Sequence, residues 1–165
     1  LVRQELIPSY MVHFPVYIDG RQYWLWQEGN FMPRLANLYF KTAICFLIIG
    51  IAMGLLMSIS QDHAPTGAHA HTNLLGWVTM AIFGGYYALN PAKAETRLAV
   101  LQYWVYTGGV TVMVPSLYLL LTGNPGMEPL VAISSIITFI GVLLFAGVIF
   151  SRSKAATQPN ALPSA

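Results

Sequence analysis

The stretch that decides the fold is TAICFLIIGIAMGLLMSIS, residues 42–60, which contains no charged side chain. A helix that crosses a bilayer needs about 20 consecutive, mostly apolar residues. Each residue advances about 1.5 Å, and the hydrocarbon core is about 30 Å thick. Residues 42–60 meet that requirement, so they are predicted to form a membrane-spanning helix.

Three further stretches have the same character, at about residues 72–90, 98–121 and 130–150. The links between them are short and contain proline or paired turn-forming residues, which is typical of tight connections between helices. The predicted fold is therefore all-α: a four-helix transmembrane bundle that occupies residues 32–150.

The composition agrees with a membrane protein. The chain is 56% hydrophobic and only 8% charged, whereas soluble domains carry about 25% charged residues. A net charge of +2 and the lack of a basic patch argue against a nucleic-acid partner. The single cysteine, Cys45, excludes an internal disulfide. The predicted partner is the lipid bilayer.

The basic residues predict the orientation of the bundle. With four spans, all basic residues after position 32 fall on one side, and the two links on the other side contain none. These residues are Arg34, Lys41, Lys93, Arg97, Arg152 and Lys154. The positive-inside rule then places both termini in the cytoplasm and the links that contain Asp62 and Glu128 at the outer face.

The two ends of the chain differ from the spans. Residues 1–31 are either a short cytoplasmic β-hairpin or interfacial segment, or non-native sequence upstream of a natural start at Met32. The hairpin is suggested by VYIDGRQYW, residues 16–24, where Asp-Gly lies between strand-type residues. The tail, residues 151–165, is small, polar and contains proline, so it is predicted to be disordered.

Three histidines, His63, His69 and His71, lie where the first apolar run ends and the second begins. Ionisable side chains at a membrane are costly and mark function by default. We interpret the cluster as ligands or proton-handling groups; the alternative is interfacial histidines without a cofactor.

Helix geometry separates two of these histidines. Residues two apart on an α-helix differ by about 200° around the axis, so His69 and His71 point to opposite faces if both are helical. A planar cofactor held by His71, with His63 or a partner subunit's histidine opposite, fits this spacing better than a tight metal cage. A copper site from His63, His69, His71 and Met57 is the alternative, since imidazole and thioether suit copper. That site needs a non-helical segment at residues 69–71.

The sequence HTNLLGWVTMAIFGGYY, residues 71–87, resembles the second membrane helix of the haem–copper oxidase superfamily, most closely that of the nitric oxide reductase large subunit. Residues 32–150 also resemble short stand-alone bacterial membrane proteins called cytochrome-oxidase-subunit-I-like. The resemblance implies that His71 binds a low-spin b-type haem near the outer face of the bacterial inner membrane. Asn73 belongs to the same motif, and Trp77 is a candidate for packing on the porphyrin.

The chain also departs from that family. A full catalytic subunit has many more helices and histidine ligands, and the last two predicted spans here contain no histidine. A complete oxidase or nitric oxide reductase is therefore not predicted.

The predicted function is that of a small membrane b-type cytochrome, which transfers electrons or binds a diatomic gas in a process linked to respiration. The alternatives are a cofactor-free accessory or assembly subunit of a respiratory oxidase, and the copper site. The expected protein partner is a second copy or a respiratory complex. The predicted site residues are His63, His69, His71, Asn73 and Trp77.

Overall fold

The computed structural model describes residues 11–18, 20–28 and 32–151. The chain divides into two compact units, 1–32 and 33–165. Apart from Ser151, the tail predicted to be disordered lies outside the described residues.

In the first unit, strand β1 (Met11–Ile18) pairs antiparallel with strand β2 (Arg21–Glu28). The register places Met11 opposite Glu28 and Ile18 opposite Arg21. Gly20, next to the turn, has a φ of +71°, a left-handed conformation that glycine adopts without steric cost.

The second unit is helical. Its elements are α1 (Arg34–Ser60), α2 (Thr66–His71), a π-helix (Thr72–Thr79), α3 (Met80–Leu89), α4 (Pro91–Ala94), α5 (Arg97–Leu121), a 3₁₀ turn (Pro125–Met127) and α6 (Glu128–Phe150).

Among the residues that the structure describes, three helices are long and apolar enough to cross a membrane: Arg34–Ser60, Arg97–Leu121 and Pro125–Phe150. They include the predicted spans 42–60, 98–121 and 130–150. Their outward faces are strongly apolar, with Leu56 64% and Ile136 61% exposed. Such continuous apolar surface is unfavourable in water and is what a membrane protein presents to lipid.

Helix α1 begins about two turns earlier than its apolar run predicts. Pro33 precedes the first helical residue, where its fixed φ suits the start of a helix. The added turns bury Ala36 and Tyr39 completely. The hydropathy pattern therefore predicted only the apolar, lipid-facing part of α1. The first two turns are helical because their side chains pack inside the protein.

The predicted span 72–90 is not a uniform α-helix. Backbone helicity runs from Thr66 to Leu89, but its middle third is a π-helix. We call α2, the π-helix and α3 together the composite helix. It ends just before Pro91, as the sequence predicts, because proline cannot continue the hydrogen-bond ladder.

The composite helix packs antiparallel along α1 through small residues. The facing pairs are Gly54 with His69, Gly50 with Asn73, Phe46 with Gly76, and Tyr39 with Gly84. A Cβ on Gly50 would lie 2.5 Å from the side-chain oxygen of Asn73, so any larger residue at this position would force the Asn73 side chain to move. The Gly50-x-x-x-Gly54 motif therefore seats a neighbour from the same chain.

One end of the helical unit gathers the basic residues that the structure describes in that unit. The start of α1 and the link before α5 line one cavity there, through Arg34 and Glu95. The Nζ of Lys93 donates to the carbonyl oxygens of Val148 at 3.0 Å and Ile149 at 2.7 Å. The start of α1, the link after α3 and the end of α6 therefore lie at the same end.

Replacing Lys93 with methionine tests how much its hydrogen bonds to the end of α6 contribute to stability. The buried ammonium binds two carbonyls at the C-terminus of α6, where a positive charge is favourable. We expect Lys93→Met to lower the free energy of unfolding by about 2 kcal/mol, the range for hydrogen bonds to a charged group. Reversible unfolding in lipid-free detergent measures it. Lys41→Met, at an exposed lysine, is the matched control. An equal loss of stability in this variant would contradict a stabilising role for the Lys93 hydrogen bonds.

Candidate functional site

The predicted site lies at the other end of the bundle, where α1 turns into the composite helix. Helix α1 ends at Ser60, and the next residue, Gln61, has a left-handed φ of 56°. The carboxylate of Asp62 accepts a hydrogen bond from the Ala64 amide at 2.9 Å, and the Thr66 hydroxyl donates to the His63 carbonyl at 2.6 Å. These local bonds shape a tight turn that contains His63.

His63 is exposed in this turn. Its Nδ1 lies 3.2 Å from the Gln61 carbonyl oxygen, a neighbour two residues away. The ring is thus held by its own turn and by no other helix, among the contacts of the described residues.

His69 is half-buried and points towards α1. Its Nδ1–H donates to the Gly50 carbonyl oxygen at 2.9 Å. Gly54 makes room for the ring, because a Cβ there would lie 3.1 Å from the ring carbon Cε1. Asn73, one turn along, donates from Nδ2 to the His69 carbonyl at 3.0 Å. His69 and Asn73 therefore join the composite helix to α1.

His71 points away from α1 and is exposed. Its Nδ1–H donates to the Gly67 carbonyl oxygen, one turn back in the same helix, at 2.7 Å. That bond orients the ring and leaves Nε2 as the nitrogen with a free lone pair. Next to His71 the same helix carries exposed apolar side chains: Leu74 at 60%, Val78 at 40% and Ile82 at 61%.

The structure does not gather the three histidines into one cage. Helix α2 includes both His69 and His71. Two residues at this separation on a helix are predicted to point to opposite faces. Within residues 11–28 and 32–151, as far as they are described, no group of three His, Cys, Asp or Glu side chains is placed to hold a metal ion. The copper alternative required a non-helical segment here, and the segment is helical.

The remaining predicted residue, Trp77, is half-buried and packs against the aromatic interior. It is not part of the exposed face that carries His71, Leu74 and Val78. Of the five predicted site residues, His71 combines exposure with an oriented ring and an apolar surface beside it.

The π-helix is the main feature that the sequence did not predict. Its wider turns free backbone carbonyls for other partners: the Tyr106 hydroxyl donates to the Leu75 carbonyl at 3.1 Å, and the Thr79 hydroxyl donates to the Leu74 carbonyl at 2.8 Å. The polar side chains of Gln102 and Tyr106, one turn apart on α5, were the available signal that polar partners are needed inside the bundle.

The interior of the bundle is filled by side chains. The ring centroids of Phe83 and Phe145 are 4.0 Å apart, and those of Tyr39 and Tyr103 are 4.8 Å apart. On the histidine side of these rings, Met80 and Val110 are completely buried. A porphyrin does not fit among them, so a cofactor on His71 must lie on the outer surface of the composite helix.

Comparison with known proteins finds no relative for this chain: no family model, no curated protein and no solved structure matches it.

Proposed function

We propose that the protein is a four-span membrane protein that binds a b-type haem through His71 on the outer surface of the composite helix. The observation that carries the proposal is the state of the His71 ring. Its Nδ1–H is held by the Gly67 carbonyl, while Nε2 lies on an exposed face. Ligating histidines commonly have this arrangement, because a hydrogen bond to the second nitrogen orients the ring and selects the tautomer.

The composite helix serves as the fourth span in this proposal. Lys93 contacts the end of α6, and one cavity joins the start of α1 to Glu95. Both observations fit an even number of membrane crossings. The three long helices supply three of them, and the composite helix supplies the fourth. The basic residues at that end favour a cytoplasmic location for it, with the histidines at the outer face of a bacterial inner membrane.

The residues on this face fit one side of a porphyrin. His71 would supply an axial ligand through Nε2, and Leu74, Val78 and Ile82 would provide an apolar bed. Bound haem would supply the ability to accept and release one electron or to bind a diatomic gas. Two other residues of the predicted site act indirectly: His69 and Asn73 fix the position of the composite helix on α1 and so position His71.

The second axial ligand has two candidate sources. His63 is exposed in the adjacent turn, and a second copy of the chain, or a respiratory-complex partner, could present a histidine from its own surface. The second source fits better, because the His71 face is directed away from its own bundle and needs a second apolar surface to enclose a porphyrin.

Haem titration of the purified full chain in nanodiscs tests the proposal. We expect a sharp Soret band and a b-type pyridine haemochrome, with one haem for every two chains if a second copy supplies the other ligand. His71→Ala should lose the band because it removes the ligand, and His13→Ala should keep it.

Equal haem content in the two variants would contradict the proposal. Colourless protein with stoichiometric copper would instead support the copper site. Colourless, metal-free protein that co-purifies with an oxidase would support an accessory subunit. One haem per chain, lost in His63→Ala, would assign the second ligand to His63.

A further inference from the structure

The end of the bundle opposite the histidines contains two adjacent cavities. The larger, about 400 Å³, lies between the start of α1, the link after α4 and the first turns of α5. The smaller, about 190 Å³, lies beside it along α1. Arg34 and Leu38 line both, so the two cavities are parts of one continuous depression.

The smaller cavity is polar and positively charged. It is lined by Arg34, Asn37 and Lys41 in addition to Leu38. Residues three and seven apart lie on one face of a helix, so these side chains form a short polar column along α1. Arg34 and Lys41 are both exposed. The column offers a guanidinium, an amide and an ammonium to a ligand, which together suit a phosphate group.

The larger cavity is mainly apolar and opens sideways from the bundle. Its wall includes Leu38 at 44%, Val100 at 44% and Trp104 at 66% exposed. All three belong to α1 and α5, which are long and apolar enough to span a membrane. The side opening therefore faces the region where acyl chains lie. One carboxylate, Glu95, lines this cavity at the link, against the two cations of the column.

We propose that this depression binds one anionic phospholipid. The phosphate lies at Arg34, Asn37 and Lys41, and an acyl chain runs along Leu38, Val100 and Trp104. Charge complementarity selects a lipid with net negative charge, because among the described residues that line the depression two cations outnumber one carboxylate. The cationic column continues directly into an apolar wall that is open to the side. A lipid covers both parts, whereas a free phosphate would leave the apolar wall uncovered. Basic pockets between membrane helices commonly bind anionic headgroups in this way.

Quenching of Trp104 by brominated lipid measures occupancy directly. The full chain is placed in nanodiscs that contain a low mole fraction of brominated phosphatidylglycerol or, separately, brominated phosphatidylcholine. The contribution of Trp104 is the difference between the wild-type chain and Trp104→Phe. We expect brominated phosphatidylglycerol to quench this signal at lower mole fractions than brominated phosphatidylcholine.

Two variants test the cationic column. Arg34→Gln and Lys41→Gln should each lower the preference for phosphatidylglycerol by about fivefold, the effect expected for one basic residue near an anionic headgroup. Arg97→Gln removes an exposed charge from the same end of the bundle, outside both cavity walls, and should keep the preference. Far-UV circular dichroism checks that each variant is folded.

Two results would overturn the proposal. Equal quenching by the two lipids would show that the site does not select charge. An equal loss of preference in Arg97→Gln would show a general surface effect rather than a site. Because none of these residues lies at the histidine end, the result is independent of whether the protein binds haem.

Discussion

Gly109→Ala is expected to lower the free energy of unfolding by about 1–3 kcal/mol, the usual cost of overpacking a close contact. Gly109 lies where α5 crosses α6. A Cβ at this position would be 2.5 Å from the Thr138 hydroxyl and 2.7 Å from the Thr138 backbone nitrogen. The second of these atoms belongs to the backbone, so no side-chain rotation can relieve the clash with the added methyl group. The two helices must therefore move apart.

The adjacent residue provides the control. A Cβ on Gly108 would have no atom within 4 Å, so Gly108→Ala should leave stability unchanged or raise it slightly through its helix propensity. Reversible unfolding of both variants in mixed detergent micelles, monitored by circular dichroism, measures the difference. Equal stability of the two variants would mean that α5 and α6 do not cross at Gly109.

Gln102→Leu is expected to destabilise the protein by about 2–4 kcal/mol, because it leaves two buried hydroxyl groups without an acceptor. Gln102 is completely buried, as are Tyr39 and Tyr87. Both tyrosine hydroxyls donate to its Oε1, that of Tyr87 at 3.1 Å. One amide oxygen thus joins three helical elements, α1, α3 and α5, inside the bundle.

A triple variant separates lost hydrogen bonds from lost packing. Replacing both sides of a buried hydrogen bond with apolar groups of similar shape can be nearly neutral. We therefore expect Gln102→Leu combined with Tyr39→Phe and Tyr87→Phe to recover most of the stability lost in Gln102→Leu alone. A triple variant that is less stable than Gln102→Leu would contradict the assigned network, and the same unfolding assay decides between them.

The sequence alone predicted the features that follow from one-dimensional patterns. Uninterrupted apolar length is sufficient to form a helix in lipid, since a membrane helix satisfies its own backbone hydrogen bonds. The long helices at 42–60, 98–121 and 130–150 were therefore predictable, as was the end of the composite helix before Pro91. The helical angle between His69 and His71 was predictable for the same reason, because it depends only on their separation.

The tertiary structure decided what each of these residues contacts. Gly50 and Gly54 accept the composite helix of their own chain, so His69 and Asn73 are used in packing and His71 is left on the outer face. The π-helix, the Gln102 network and the cavities at Arg34 depend on partners distant in sequence. Hydropathy records how a side chain interacts with lipid, whereas the partner of a buried polar group depends on which helices meet, and only the folded chain determines that.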